Sequence, residues 1–181
     1  NGAIVAVSLQ ELLILSNDER QRHAETIRTR IQELMGDLKI RFPIYFLVTK
    51  CDLMAGFNEF FEYLDQSERE QVWGMSFPLS DEHSNKSADF FDAEFDTLVK
   101  RINDRVLWRL HSERDPYRKA KIQGFPSQFE NMRGILNDFV NNVFSDNKYQ
   151  TPPLLRGVYF TSGTQEGSPI DRILTSLSAN Y

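Results

Sequence analysis

Two short stretches carry the residue types that could do chemistry. The first is Val48-Thr49-Lys50-Cys51-Asp52, at the end of an apolar run. In open α/β sheets, ligands bind outside the carboxyl ends of the strands. An Asp leaving such an end offers a pair of acceptor oxygens, which matches the two N–H donors on one edge of guanine. A Lys two residues earlier can lay its stem along a purine face. The second stretch is Thr161-Ser162-Gly163-Thr164, after another apolar run. If the two runs are neighbouring strands, its backbone N–H groups lie within reach of a purine carbonyl. The alternative is that Lys50 and Asp52 are solvated polar residues that end a strand.

The positioning elements can be read from hydrophobic pattern. The chain opens on Gly2-Ala3-Ile4-Val5-Ala6-Val7-Ser8-Leu9, a continuous apolar run expected to be a strand buried on both faces. A central strand needs neighbours on both sides, so the expectation is that this chain is a piece of something larger. Ser16 and Glu19 have the spacing of a capping box. Ile27, Ile31, Leu34 and Leu38 then form one apolar helix face. Phe42-Pro43-Ile44-Tyr45-Phe46-Leu47-Val48-Thr49 reads as a second buried strand, which completes a right-handed parallel βαβ unit.

From Leu53 to Pro153 no strand signal appears, and the segment reads as helical. Phe57, Phe60, Phe61 and Leu64 predict a short aromatic helix, and the cluster reads as core in preference to a partner surface. Ser67 and Glu70 repeat the capping-box spacing ahead of Val72 and Trp73. Residues 76–87 read as an exposed loop. Phe91, Phe95, Leu98, Ile102 and Val106 predict a long helix. Asp115-Pro116 predicts an N-cap followed by Pro at the first helical position. Phe129, Met132, Leu136, Phe139 and Val143 predict one further helix face, and residues 146–153 a linker. The strand pattern returns at Leu154-Leu155-Arg156-Gly157-Val158-Tyr159-Phe160-Thr161. Ser168-Pro169 opens a last helix with Ile170, Ile173, Leu174 and Leu177 on one side. The expected fold is α/β, a partial P-loop-NTPase-like parallel sheet of about three strands. Residues 1–53 plus 154–181 form its core, and 54–153 a helical subdomain.

Composition bounds the function. The 181 residues include 21 basic and 26 acidic ones, a net charge of −5, which opposes a general nucleic-acid-binding role. A single cysteine excludes an internal disulfide and a cysteine-rich zinc site. No apolar stretch is long enough to span a membrane as a helix. His23, His83 and His111 lie in separate segments without ligand spacing and read as solvated or capping residues, so no metal site is expected. Cys51 reads as a packing residue. Arg114, Arg118, Lys119 and Lys121 read as a solvated basic face. No Gly-x4-Gly-Lys-Ser/Thr run is present, so the chain as given is not expected to hydrolyse a nucleotide, and no catalytic residues or bound cofactor are assigned to it.

The residues also carry a family resemblance over nearly the whole chain. Arg41-Phe42-Pro43-Ile44-Tyr45-Phe46-Leu47-Val48-Thr49-Lys50-Cys51-Asp52-Leu53 with Gly56-Phe57, Glu70-Gln71-Val72-Trp73-Gly74, and the run from Arg156 to Gly167 followed by Pro169-Ile170-Asp171-Arg172 resemble the IcmF/TssM family of bacterial type VI secretion. The resemblance implies a cytoplasmic domain of a bacterial inner-membrane protein whose parent spans the membrane. It implies the C-terminal half of a GTPase-like domain, with the phosphate-binding loop upstream of Asn1. Thr49, Lys50 and Asp52 then match a guanine-specificity tetrad that has Thr in the usual Asn place. Ser162 and Gly163 match the loop that touches the base. Implied partners are a DotU-like inner-membrane protein, an outer-membrane lipoprotein, and baseplate or sheath components. Implied ligands of the full-length protein are GTP and GDP. Two functions follow as expectations: a scaffold that docks other secretion proteins, or the base-binding half of a GTPase. An intact upstream glycine-rich loop would favour the second. An unrelated α/β binding module is a third reading.

Overall fold

The computed structural model describes residues 2–77, 90–145 and 152–163. Its elements run β1 (Ala3–Ser8), α1 (Leu9–Ile14), α2 (Asn17–Leu38), β2 (Pro43–Thr49), a 3-10 turn (Cys51–Leu53), α3 (Phe57–Phe61), α4 (Gln66–Arg69), β3 (Trp73–Ser76), α5 (Phe91–Ser112), α6 (Pro116–Glu130), α7 (Arg133–Phe144) and β4 (Leu154–Phe160). Among the described residues the sheet has four strands in the order β1-β2-β4-β3. The first three are parallel, and β3 runs antiparallel to β4. A register shift at Ile44/Tyr45 leaves Arg156 as the extra residue on β4.

Side chains alternate across this sheet except at the Arg156 bulge. On one face Val7, Ile44, Phe46, Val48, Leu155, Val158, Phe160 and Met75 are buried. Helices α7 and α6 close over them: Phe139 stacks on Phe46 with ring centres 5.8 Å apart, and Phe129 meets Phe160 at 5.1 Å. Trp73 extends the layer, 5.0 Å from Phe160 and 5.1 Å from Phe129. Phe95 of α5 lies nearly parallel to Phe129 at 4.7 Å. Burial of each such ring contributes roughly 2–3 kcal/mol.

Several expectations hold. The Ser16/Glu19 capping box forms in full, with Glu19 Oε2 accepting from the Ser16 amide at 2.8 Å. Asp115 caps α6 by accepting from the Tyr117 amide, with Pro116 at the first helical position. Phe60 is buried, and Phe57 and Phe61 pack against the core, as a core cluster should.

Other expectations are corrected. Four strands replace the expected three, because the 54–153 segment contributes β3. Four residues that include a glycine and a serine give too short a pattern to read as a strand. Strand β1 is an edge strand among the described residues, with Ile4 69% exposed instead of buried. Leu9 leaves that strand and starts α1. The buried stripe of α2 is Ala24, Ile31 and Met35, whereas Leu34 and Leu38 are exposed. Leu34 lies one residue off the stripe, about 100° around the helix, and Leu38 sits in the final turn. The Ser67/Glu70 pair is displaced by Asp65 and Glu68, which cap α4 reciprocally at 2.8 and 3.1 Å. The face running from Phe129 to Val143 is split between α6 and α7 at Asn131–Met132, although both sides of the break stay buried. His23 is half-buried with its ring edge on Phe139, not simply solvated. The last helix, the 146–151 part of the linker, His83 and Thr164 fall outside the described residues.

Charged side chains pin the helices to one another. Arg109 is buried on α5 and donates to the carbonyls of Phe60 at 3.1 Å and Glu59 at 2.7 Å, while its guanidinium lies over the Tyr63 ring. Two of the four residues of the expected basic face are paired: Arg118 joins Glu113 and Glu62, and Lys121 joins Glu59. The Arg118 hydrogen bond holds the Glu113 carboxyl down at about 2, helped by the amides of Asp115 and Arg114.

Gly56 opens α3 at φ 85°, and a Cβ there would sit 2.4 Å from the Lys121 carbonyl oxygen of α6. Left-handed backbone disfavours any L side chain, and the contact has no room to relax. Gly56→Ala is therefore expected to cost about 3 kcal/mol in urea denaturation. The Glu113 carboxyl is lowered in the folded state, so its contribution is fully present above its ordinary value of 4.5 and is lost as pH falls toward about 2. Acid unfolding followed by circular dichroism should show a component in that window that is missing in Glu113→Gln.

Candidate functional site

The parallel pairing of β2 with β4 continues past the formal strand ends. The Thr161 amide donates to the Val48 carbonyl at 2.9 Å, and the Cys51 amide donates to the Thr161 carbonyl at 3.1 Å. These bonds hold the loop after β2 against the loop after β4. Ser162 Oγ then donates to Asp52 Oδ1 at 2.7 Å, across 110 positions of sequence. Asp52 is only 8% exposed.

The five residues predicted for the site share this corner but play different local parts. Asp52 and Ser162 are in direct contact. Thr49 turns its hydroxyl to the Val7 carbonyl of β1 at 3.4 Å, a weak tie to the neighbouring strand end. Lys50 is half-buried and adopts left-handed backbone, φ 61° and ψ 37°, uncommon for a residue other than glycine. That conformation breaks the strand and starts the turn that carries Asp52. Gly163 is exposed beside Ser162.

An ionised carboxylate has about four acceptor positions. Ser162 uses one, which leaves enough to accept the two N–H groups of a guanine edge. The hydroxyl therefore fixes the orientation of Asp52 without exhausting it. Cys51 is fully buried, its Sγ 3.4 Å from the Val48 carbonyl. Burial pushes its thiol up to about 12, so at neutral pH it is a packing residue and not a nucleophile.

An open cleft of about 1130 Å3 adjoins the corner. It reaches Ser162 and Thr161 and is walled by Phe57, Phe61, Trp73 and Tyr159, but neither Lys50 nor Asp52 lines it. The cleft and the Asp52 carboxylate thus meet at Ser162. Among the described residues no group of His, Cys, Asp and Glu could hold a metal ion. No described helix is long and apolar enough to cross a membrane.

Sequence reasoning missed two residues that shape this region. Trp73 reads as part of a helix but lies on β3, between Phe160 and the α3 phenylalanines. Arg109 sits on a helix rich in charge and is indistinguishable from a solvated Arg until α3 is placed. For Trp73 the alternation in Trp73-Gly74-Met75 is too short to mark a strand without its partner β4.

The fold and this corner define a mixed α/β domain with a loop clamp at the carboxyl ends of two parallel strands. The chain matches the family described as the IcmF-related N-terminal domain over residues 1–181, and it belongs to that family. It is 52% identical over 182 residues to the type VI secretion system component TssM1 of Pseudomonas aeruginosa. That match covers 98% of this chain and 16% of the relative, so the chain spans about one-sixth of that protein's length. No solved structure matches. The family description speaks of an N-terminal domain, and the expected C-terminal half of a GTPase-like domain gains no support from it. The three expected strands are parallel and β3 makes the sheet mixed, and the expected P-loop-NTPase-like fold gains no support from the comparisons.

Proposed function

We propose that this chain is a scaffold domain of a type VI secretion machine, on the cytoplasmic side of an inner-membrane parent protein. The observation that carries this reading is the 52% identity to TssM1 across almost the whole chain. The partners proposed are those the resemblance implies: a DotU-like inner-membrane protein and baseplate or sheath components. The helices present apolar side chains to meet them. Leu107 and Trp108 near the end of α5 are 79% and 55% exposed, and Tyr117 at the start of α6 is 70% exposed. Aromatic side chains of this kind are enriched among residues that dominate protein interfaces.

A second reading is favoured by one specific contact. The Asp52–Ser162 bond orients a carboxylate at the carboxyl end of β2, where a guanine edge would be read. In that reading Thr49, Lys50, Asp52, Ser162 and Gly163 form the base pocket of a P-loop-NTPase-like domain. The phosphate-binding part is supplied by the parent protein, and GTP or GDP is its ligand.

The two readings separate in a secretion assay on the parent protein. Under the scaffold reading, the pair Leu107→Ser with Trp108→Ser lowers export of a type VI substrate at least tenfold with normal protein abundance, and Asp52→Ala leaves export intact. Loss of export in Asp52→Ala alone would favour the base-binding reading. Full export in both variants would contradict the scaffold surface.

A further inference from the structure

Residues 100–121 hold eight Lys or Arg against three Asp or Glu, a local net charge of +5 in a chain whose total is −5. The remaining residues therefore carry −10. The stretch is the second half of α5, the short turn after it and the start of α6. Two of its three acids are engaged within it. Glu113 accepts from Arg118 and from the amides of Arg114 and Asp115, and Asp115 caps α6. Among the described residues Lys100, Arg101, Arg105, Arg114 and Lys119 form no ion pair. Apolar side chains stand between these cations. Lys100, Asp104, Leu107 and His111 follow one exposed stripe of α5, and Arg101, Arg105, Trp108 and Ser112 follow the next. Trp108 leans on Tyr63 with ring centres 4.8 Å apart, and the Tyr63 hydroxyl accepts from Arg105 at 3.3 Å. On α6, the Lys121 ammonium lies 5.0 Å above the ring of exposed Tyr117. Arg118 ties the start of α6 to Glu62, next to Tyr63, so Trp108 and Tyr117 flank the same short stretch of chain. The cleft described above reaches Arg105 but not Leu107, Trp108, Arg114 or Tyr117, which project from the surface.

We propose that this α5–α6 elbow is a peripheral membrane contact, which takes the anionic headgroups of a lipid bilayer. Each basic residue close to an anionic leaflet strengthens binding about fivefold. Trp and Tyr settle at headgroup level, where the ring meets hydrocarbon and the polar tip meets water. Projecting apolar side chains interleaved with Lys and Arg are the pattern of segments that lie in a bilayer interface. A folded protein partner needs a matching recess for each projecting side chain, whereas a fluid interface opens around them. The charge distribution also sets orientation. With +5 at the elbow and −10 elsewhere, the chain meets a negative surface elbow first, and its remainder is held off by repulsion. The contact rests on the scaffold reading for the parent's place at an inner membrane, and it adds lipid to the surfaces that Leu107, Trp108 and Tyr117 meet.

The test is co-sedimentation of the full chain with vesicles of phosphatidylglycerol and phosphatidylcholine in equal parts, and with vesicles of phosphatidylcholine alone. Binding to the anionic vesicles is expected to exceed binding to the neutral ones at least tenfold at physiological salt. It should collapse near 1 M salt, where the screening length falls to about 3 Å. Arg114→Glu with Lys119→Glu should weaken anionic binding at least tenfold, with an unchanged circular dichroism spectrum. Tryptophan emission gives a second reading that does not depend on the charge variant, because the chain has two tryptophans, Trp73 and Trp108. Emission should move to the blue on anionic vesicles, and the shift should vanish in Trp108→Phe. No binding to anionic vesicles would overturn the proposal, and so would equal binding to neutral ones. Anionic binding that survives the double charge reversal, with no Trp108-dependent shift, would overturn it too, because lipid would then be met elsewhere on the chain. The vesicles contain no secretion protein, so a failure here leaves the scaffold reading to the export assay and assigns the elbow to protein alone.

Discussion

The pairing of β2 with β4 is the constraint on which the rest of the structure depends. Their partners Pro43 and Leu154 are separated by more than a hundred positions of chain. Closing a loop of that length costs about 4 kcal/mol in chain entropy, beyond a constant. The intervening segment offsets that cost by folding back on the pair it connects. Phe139 and Phe144 from α7 pack on Phe46, and Phe129 from α6 packs on Phe160. Two or three buried aromatic rings are enough to outweigh the closure term. The helices are therefore part of the reason the sheet forms.

The same pairing makes the functional corner. Because the ladder continues through Thr161 and Cys51, the two loops leave the sheet side by side, and Ser162 reaches Asp52. Lys50 accepts a left-handed backbone at the point of exit. Behind the corner, Gly56 lets α3 approach α6 closely, and Arg109 fastens the end of α3 to α5. A polar contact at the strand ends is thus backed by a close-packed aromatic and charged layer. An oriented carboxylate is what either base recognition or a fixed loop conformation would require.

Much of this was legible in residue patterns. The apolar runs before Thr49 and Thr161 located β2 and β4, and the polar residues after them located the corner. Ser16/Glu19 and Asp115-Pro116 marked two helix starts because capping is a local interaction with fixed spacing. What depended on tertiary placement was not legible. Strand β3 is four residues long and is stabilised by pairing to β4, a partner far away in sequence. Ile4 is exposed because it lies on the sheet face that no described helix covers, as its neighbour Tyr45 on central strand β2 also shows, while its side chain alone reads as core. Arg109 is buried by carbonyls of α3, a contact no helical periodicity encodes. Asp65 displaced Ser67 as the cap of α4, a choice between two similar local signals.

Asp52, held by Ser162 at the end of two clamped strands, is the polar centre of this corner. The most direct measurement is calorimetric titration of GDP and ADP into the parent protein, with Asp52→Ala as control. If the corner reads a base, GDP binds, ADP does not, and Asp52→Ala loses at least tenfold in affinity while its melting temperature stays within a few degrees. Equal binding of GDP and ADP, or unchanged GDP affinity in Asp52→Ala, would contradict base recognition at this corner.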